Sequence, residues 1–164
     1  MFLFDGRLHD VTGSGYSNDG TVDELSAASS DTLATTARGL ALCADAVVHH
    51  TAAGDELVGD PTEGALVVLS EKLGIDVAQV RGEYPRIAEV PFDSTTKYMA
   101  TVHRFPIPGG GSLVRIYVKG APDVVMARCN QVLWMHDTAA MSTHRAALDA
   151  HYDAMAAEIG RAHV

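Results

Sequence analysis

Apolar and polar residues alternate most cleanly in SLVRIYVKG, residues 112–120. Val114, Ile116 and Val118 fall on one side, and Arg115, Tyr117 and Lys119 on the other, the period of a half-buried strand. The same period runs through RIAEVPFD and KYMATVHR, which are joined by a turn at Asp93-Ser94-Thr95. Three such runs with short connections predict antiparallel pairing. FLFDGRLHDVTG reads as a hairpin turning at Asp5-Gly6, ELVG as a short strand and QVLWM as another. Helical periodicity appears in residues 30–50, where Leu33, Ala37, Leu40, Ala44 and Val47 form one stripe. GDPTEGALVVLSEKLG has the ends of a helix as well as its pattern: Asp60 as N-cap, Pro61 at the first helical position, Glu63 two residues on and Gly74 at the close. APDVVMARC predicts a short helix beginning at Pro122, and residues 138–157 an Ala-rich one. SGYSNDGTVDE and PIPGGG read as connectors. Helices packed on a small antiparallel sheet make the class α+β.

Strand alternation also predicts faces. Val114, Ile116 and Val118 should point to the core, with Tyr98, Ala100 and Val102 beside them. Lys97, Met99, Thr101 and His103 should then share the wet face with Tyr117 and Lys119. Two lysines beside a thioether suit an anion carried on a flat apolar group. Phe92, at strand spacing from Val90, is either core or a ring left open for stacking at the strand end. Glu63 is either half of a capping box or an acceptor for an exocyclic amine.

Composition narrows the partners. The chain has 164 residues, 47% of them apolar, enough for one domain with its own core. It carries 12 Lys and Arg against 21 Asp and Glu, a net charge of −9, which argues against nucleic acid or an anionic membrane surface. No apolar run reaches the roughly 18 residues of a membrane span, and MFLFDG is too short and too acidic for a signal peptide. Lys72, Lys97 and Lys119 are the only lysines, so any anion site must be local. Cys43 and Cys129 lie far apart without a CxxC motif and predict no disulfide framework. His49 and His50 are adjacent and His144 and His151 are seven apart; neither pair has metal-ligand spacing. There is no P-loop and no G-x-S-x-G elbow.

Three motifs then occur in order: VGDPTEGAL, EVPFDSTTKYMATVH and YVKGAP. Together they resemble the nucleotide-binding domain of cation-transporting P-type ATPases, in the branch of the calcium pumps and the sodium/potassium pumps. The resemblance spans residues 1–157. It implies a cytoplasmic domain, a twisted antiparallel sheet flanked by helices, inserted into the phosphorylation domain of a membrane protein. It implies binding of ATP and ADP, with Mg²⁺ in the full pump. The partners would be the phosphorylation, actuator and membrane domains, and the isolated domain would be a monomer. Carried over motif by motif, Phe92 would stack on adenine, Glu63 would meet the adenine amine and Met99 would line the base pocket. Lys97 and Lys119 would approach the phosphates or close the pocket, and Gly120 would permit close backbone approach. No catalytic residue and no resident metal are implied here: the family's DKTGT motif and its later Mg²⁺ loop do not occur in this sequence. Ser94 stands where this branch often has a pocket arginine.

The last seven residues, EIGRAHV (158–164), resemble a translated sequencing adapter and are expected to be a non-native tail, so Arg161 is given no role. Two rival readings remain open: a non-catalytic acidic module for protein interaction, and a self-contained hydrolase, for which no nucleophile–base set is evident. The transported cation is not written in these residues.

Overall fold

The computed structural model describes residues 1–23, 25 and 30–161. The chain runs through β1 (Phe2–Phe4), β2 (Arg7–His9), α1 (Ser30–Leu42), β3 (Val47–Thr51) and β4 (Gly54–Val58). It continues through α2 (Pro61–Lys72), α3 (Val77–Glu83), β5 (Arg86–Asp93), β6 (Tyr98–Pro106) and β7 (Ser112–Gly120). Last come α4 (Pro122–Met126), β8 (Gln131–Trp134), β9 (Asp137–Ala140) and α5 (Met141–Arg161). The strands pair only with antiparallel neighbours, as β1-β2, β3-β4, β5-β6-β7 and β8-β9. The class is α+β.

Local chemistry explains most boundaries. Asp5 and Gly6 both have positive φ, 54° and 75°, and close the first hairpin. This is the two-residue turn whose twist matches paired strands. Asp60 caps α2 by accepting from the Thr62 and Glu63 amides, with Pro61 at the first turn. Gly74, at φ 85°, ends the helix. The core under the three-stranded sheet joins Ala41, Leu42, Ala44 and Ala46 to Val67, Val77, Val80 and Phe105.

The structure departs from the sequence pattern at several elements. The helix expected over 30–50 ends at Leu42, and Val47–Thr51 is a strand. Paired β-branched residues at Val47-Val48 favour a strand over a fifth helical turn. α3 has no signature in the sequence pattern: seven residues are too few to display a helical period, although Asp76 accepts from the Gln79 amide as its N-cap. β9 takes the start of the expected Ala-rich helix, because Met135 and His136, at φ 51° and 71°, turn the chain back into a hairpin. α5 runs unbroken to Arg161, so the helix continues into the expected tail, whose residues 162–164 lie outside the described residues.

The strand faces are largely inverted, although Ala100 is buried as expected. Met99, Thr101, His103 and Phe105 are buried against the helices. Their register partners on β7 are Lys119, Tyr117, Arg115 and Leu113. The opposite face carries Val90, Val114, Ile116 and Val118, all exposed. Polarity did not keep Thr101 and His103 out of the core because each has a backbone acceptor: Thr101 donates to the Leu42 carbonyl at 3.3 Å, and His103 Nδ1 lies 2.9 Å from the Tyr84 carbonyl.

With β3 a strand, His50 points to a specific pair of acids. Its Nδ1 is 2.6 Å from Asp55 on β4 and its Nε2 is 3.0 Å from Glu71 on α2. The carboxylate of Asp55 first, then that of Glu71, lifts the His50 pKa above its ordinary 6.5. The protonated ring, a donor at both nitrogens, thus clasps the β3–β4 hairpin to α2. A raised folded pKa means that the clasp is fully present below about pH 6.5 and is lost as pH rises through the folded value. The stability gap between the parent and His50→Gln should therefore be larger at pH 6 than at pH 9 in urea titrations. A gap independent of pH, or widening with pH, would remove the clasp.

Candidate functional site

The connection between α1 and β3 is buried except at Asp45: Cys43, Ala44 and Ala46 are inaccessible, and Asp45 is exposed. A buried loop must find partners for its amides and carbonyls. Three charged side chains supply them. Arg81, on α3, donates to the carbonyls of Ala41, Ala44 and Ala46 at 3.1, 2.8 and 3.0 Å. Arg86, at the start of β5, reaches the Leu42 and Ala44 carbonyls at 3.4 Å and pairs with Asp45 at 2.6 Å. Glu63 Oε2, from the first turn of α2, accepts from the Asp45 and Ala46 amides at 2.8 and 3.1 Å. Glu63 therefore does not complete a capping box on its own helix.

The other oxygen of Glu63 receives Lys119 Nζ at 2.7 Å. Both side chains are largely shielded, so the attraction is less screened than at an open surface. Cys43 lies beside this pair, its thiol donating to the Tyr117 carbonyl at 3.6 Å. Burial pushes the Cys43 pKa up, against the smaller pull of Thr101, Lys119 and Arg86. Cys43 is held as a thiol, the unreactive form.

The remaining expected residues lie at the same end of the sheet. Met99 is the register partner of Lys119 and is 3% exposed. On the other side of Met99 the β5 register skips from Val90↔Ala100 to Asp93↔Tyr98. Pro91 and Phe92 thus share the place opposite Met99 as a bulge, on a strand whose residues from Ile87 to Asp93 are all exposed. Phe92 is 61% exposed. Lys97 closes the β5–β6 turn at φ 60°. Its amide donates to the Asp93 carbonyl at 2.7 Å, and its carbonyl accepts from Ala121 at 2.9 Å. The Asp93 carboxylate, lowered in pKa by the Thr96 and Thr95 amides, fixes that turn. Ser94 is exposed within it.

Gly120 owes its identity to this turn. A Cβ there would stand 2.3 Å from the Lys97 carbonyl oxygen and 2.7 Å from Tyr98 Cα. Both are backbone, and neither can step aside.

A cleft of about 330 Å³ opens between α1, α2 and the free edge of β7, lined by Thr35, Gly39, Cys43, Leu66, Tyr117 and Lys119. Of the six expected residues only Lys119 lines it. A larger cleft of about 450 Å³, against Val47, Glu71, Asp76 and Arg81, holds none of them. Arg81, Arg86, Cys43 and Tyr117 join the site through the fold alone. No local pattern marks them; only packing brings them to Glu63.

A family described as "P-type ATPase, cytoplasmic domain N" matches residues 32–162. The chain belongs to the P-type ATPase N-domain family. Among proteins similar to this N domain is the cation-transporting ATPase pma1 of Synechocystis sp., 32% identical over 164 aligned positions covering 92% of this chain. The sodium/potassium-transporting ATPase subunit alpha-1 of Catostomus commersonii is 31% identical over 79% of the chain. The calcium-transporting ATPase 1 of Lactococcus lactis is 47% identical over 47% of it. The alignments span 17%, 13% and 8% of those proteins, so the N domain corresponds to a small part of each. Among the described residues no helix is long and apolar enough to cross a membrane.

Gly120→Ala should cost about 1–3 kcal/mol, the usual size of an overpacking strain, read from the shift in denaturation midpoint at unchanged slope. An alanine variant as stable as the parent would show that the turn can move away from β7.

Proposed function

We propose that this N domain binds ATP and ADP and presents the γ-phosphate of ATP to an aspartate in another domain of a parent cation pump. The observation that carries the reading is the exposed ring of Phe92 at the β5 bulge, on the same line across the sheet as Met99 and Lys119. Two strand spacings separate Phe92 from Lys119, about 10 Å of backbone, a distance over which a purine stacked on the ring can direct its amine toward the Glu63–Lys119 pair. Phe92 would stack on the base above Met99, and Glu63 would accept from the exocyclic amine. Lys97 and Lys119 would meet the phosphates or close the pocket, and Gly120 would keep the turn tight against β7. The domain would contribute binding and positioning and no nucleophile.

ATP brings its own Mg²⁺, and the ion's protein ligands would lie in the parent pump. Among the described residues no group of three or more His, Cys, Asp or Glu is placed to hold a metal. The phosphorylation, actuator and membrane domains would be the partners, and the domain alone would be monomeric.

Magnitudes favour weak binding. Stacking contributes roughly 1–3 kcal/mol and charge-assisted hydrogen bonds roughly 1.5–3 kcal/mol each. Association costs at least about 4 kcal/mol, and the net charge of −9 repels a polyphosphate. The balance is a dissociation constant on the order of 0.1–1 mM. Phe92→Ala should weaken ATP and ADP alike by about tenfold, since stacking is blind to the γ-phosphate. NMR titration measures this, with a melting curve to confirm folding. If the parent's resonances at Phe92 and Lys119 ignore ATP, the acidic interaction module takes over. If Phe92→Ala binds like the parent, the base sits elsewhere.

A further inference from the structure

The hydrogen bonds of Arg81 go to none of the six candidate residues but to the loop that orients one of them. Its planar guanidinium spans three carbonyls, Ala41, Ala44 and Ala46, from one side chain. Between and beside those carbonyls lie the Asp45 and Ala46 amides that grip Glu63 Oε2. Two amides on one oxygen fix the plane of the carboxylate. Oε1 is then left with a set direction, and one of its lone pairs is taken by Lys119. Burial lowers the Arg81 pKa, with the Arg86 charge adding to the effect; an arginine remains charged through such a shift, where a buried lysine readily gives up its proton. Arg86 is the weaker holder of the same loop, since its carbonyl contacts are 3.4 Å and its short bonds go to Asp45 and Glu89.

We propose that Arg81 is a positioning residue for base recognition: by fixing the Ala41–Ala46 segment it sets the direction of the Glu63 oxygen that meets an exocyclic amine. The proposal rests on the adenine-nucleotide reading of the site. Without Arg81 the Asp45 and Ala46 amides drift, Oε2 loses its donors, and the carboxylate turns both oxygens toward Lys119. Recognition of the amine falls, while stacking on Phe92 and attraction of the phosphates persist. Arg81 therefore governs which base is preferred rather than how strongly any triphosphate is held.

The test compares ATP with inosine triphosphate, which carries a carbonyl oxygen in place of the amine, in the 164-residue chain. Arg81→Lys keeps a cation but not the three-carbonyl fork. It should reduce the ATP preference by about twofold to tenfold, the size of one hydrogen bond, with inosine triphosphate affinity nearly unchanged. Glu63→Gln should lower the preference as well, and Arg81→Lys in that background should lower it no further, because both act through one carboxylate. A preference untouched by Arg81→Lys, or effects that multiply in the double variant, would overturn the proposal. Hydrogen exchange in nucleotide-free protein gives an arm independent of ligand. The Asp45 and Ala46 amides should exchange several-fold faster in Arg81→Lys relative to β6 amides, and equal protection would defeat the positioning role. Failure of the parent to bind ATP would sink the nucleotide reading and the recognition half of the proposal with it, while the exchange data would still decide whether Arg81 holds the loop.

Discussion

The structure depends on a buried turn of backbone that cannot satisfy itself. Cys43, Ala44 and Ala46 leave α1 and enter β3 inside the core, shielded from water, while Asp45 between them faces solvent. An unpaired buried amide or carbonyl costs about 1–3 kcal/mol, and this segment presents several. The fold answers with one acid and two arginines drawn from α2, α3 and β5. Three elements distant in sequence are thereby tied to one point. Small residues at Ala41, Ala44 and Ala46 let the elements close around it.

The same junction reaches the candidate site. Glu63 divides its carboxylate between the loop and Lys119, so the conformation of α1–β3 and the placement of the β7 lysine are one problem. The Gly120–Lys97 contact ties the far end of β7 to the β5–β6 turn. Between these anchors the Phe92 ring lies at the β5 bulge, on an exposed edge strand. A rigid acid–lysine pair at one end and a free aromatic ring at the other follow from sheet register and backbone accounting.

Burial of Met99, Thr101 and His103 shows how far polarity can mislead along a strand. Alternation in β6 and β7 is real, but both faces hold apolar side chains, and the choice of inner face was made by the helices. α1 and α2 offer carbonyls to Thr101 and a carboxylate to Lys119, so the face with hydrogen-bonding groups is the one that docks. The valines and Ile116 on the other face are left exposed.

The sequence by itself determined the elements whose cause is local. The Asp5-Gly6 hairpin, the Asp60-Pro61 start of α2, the three adjacent strands and the short helix at Pro122 each follow from φ preference, capping or period-2 alternation. The ordered motifs also determined the family, because they keep residue types at fixed spacing. Only the tertiary structure decided what depends on partners remote in the chain. It set the end of α1 at Leu42, the inward face of the sheet, the pairing of Glu63 with Lys119 across 56 positions, and the roles of Arg81 and Arg86. A side chain's own identity says what bonds it can make, and packing alone says which of them it does.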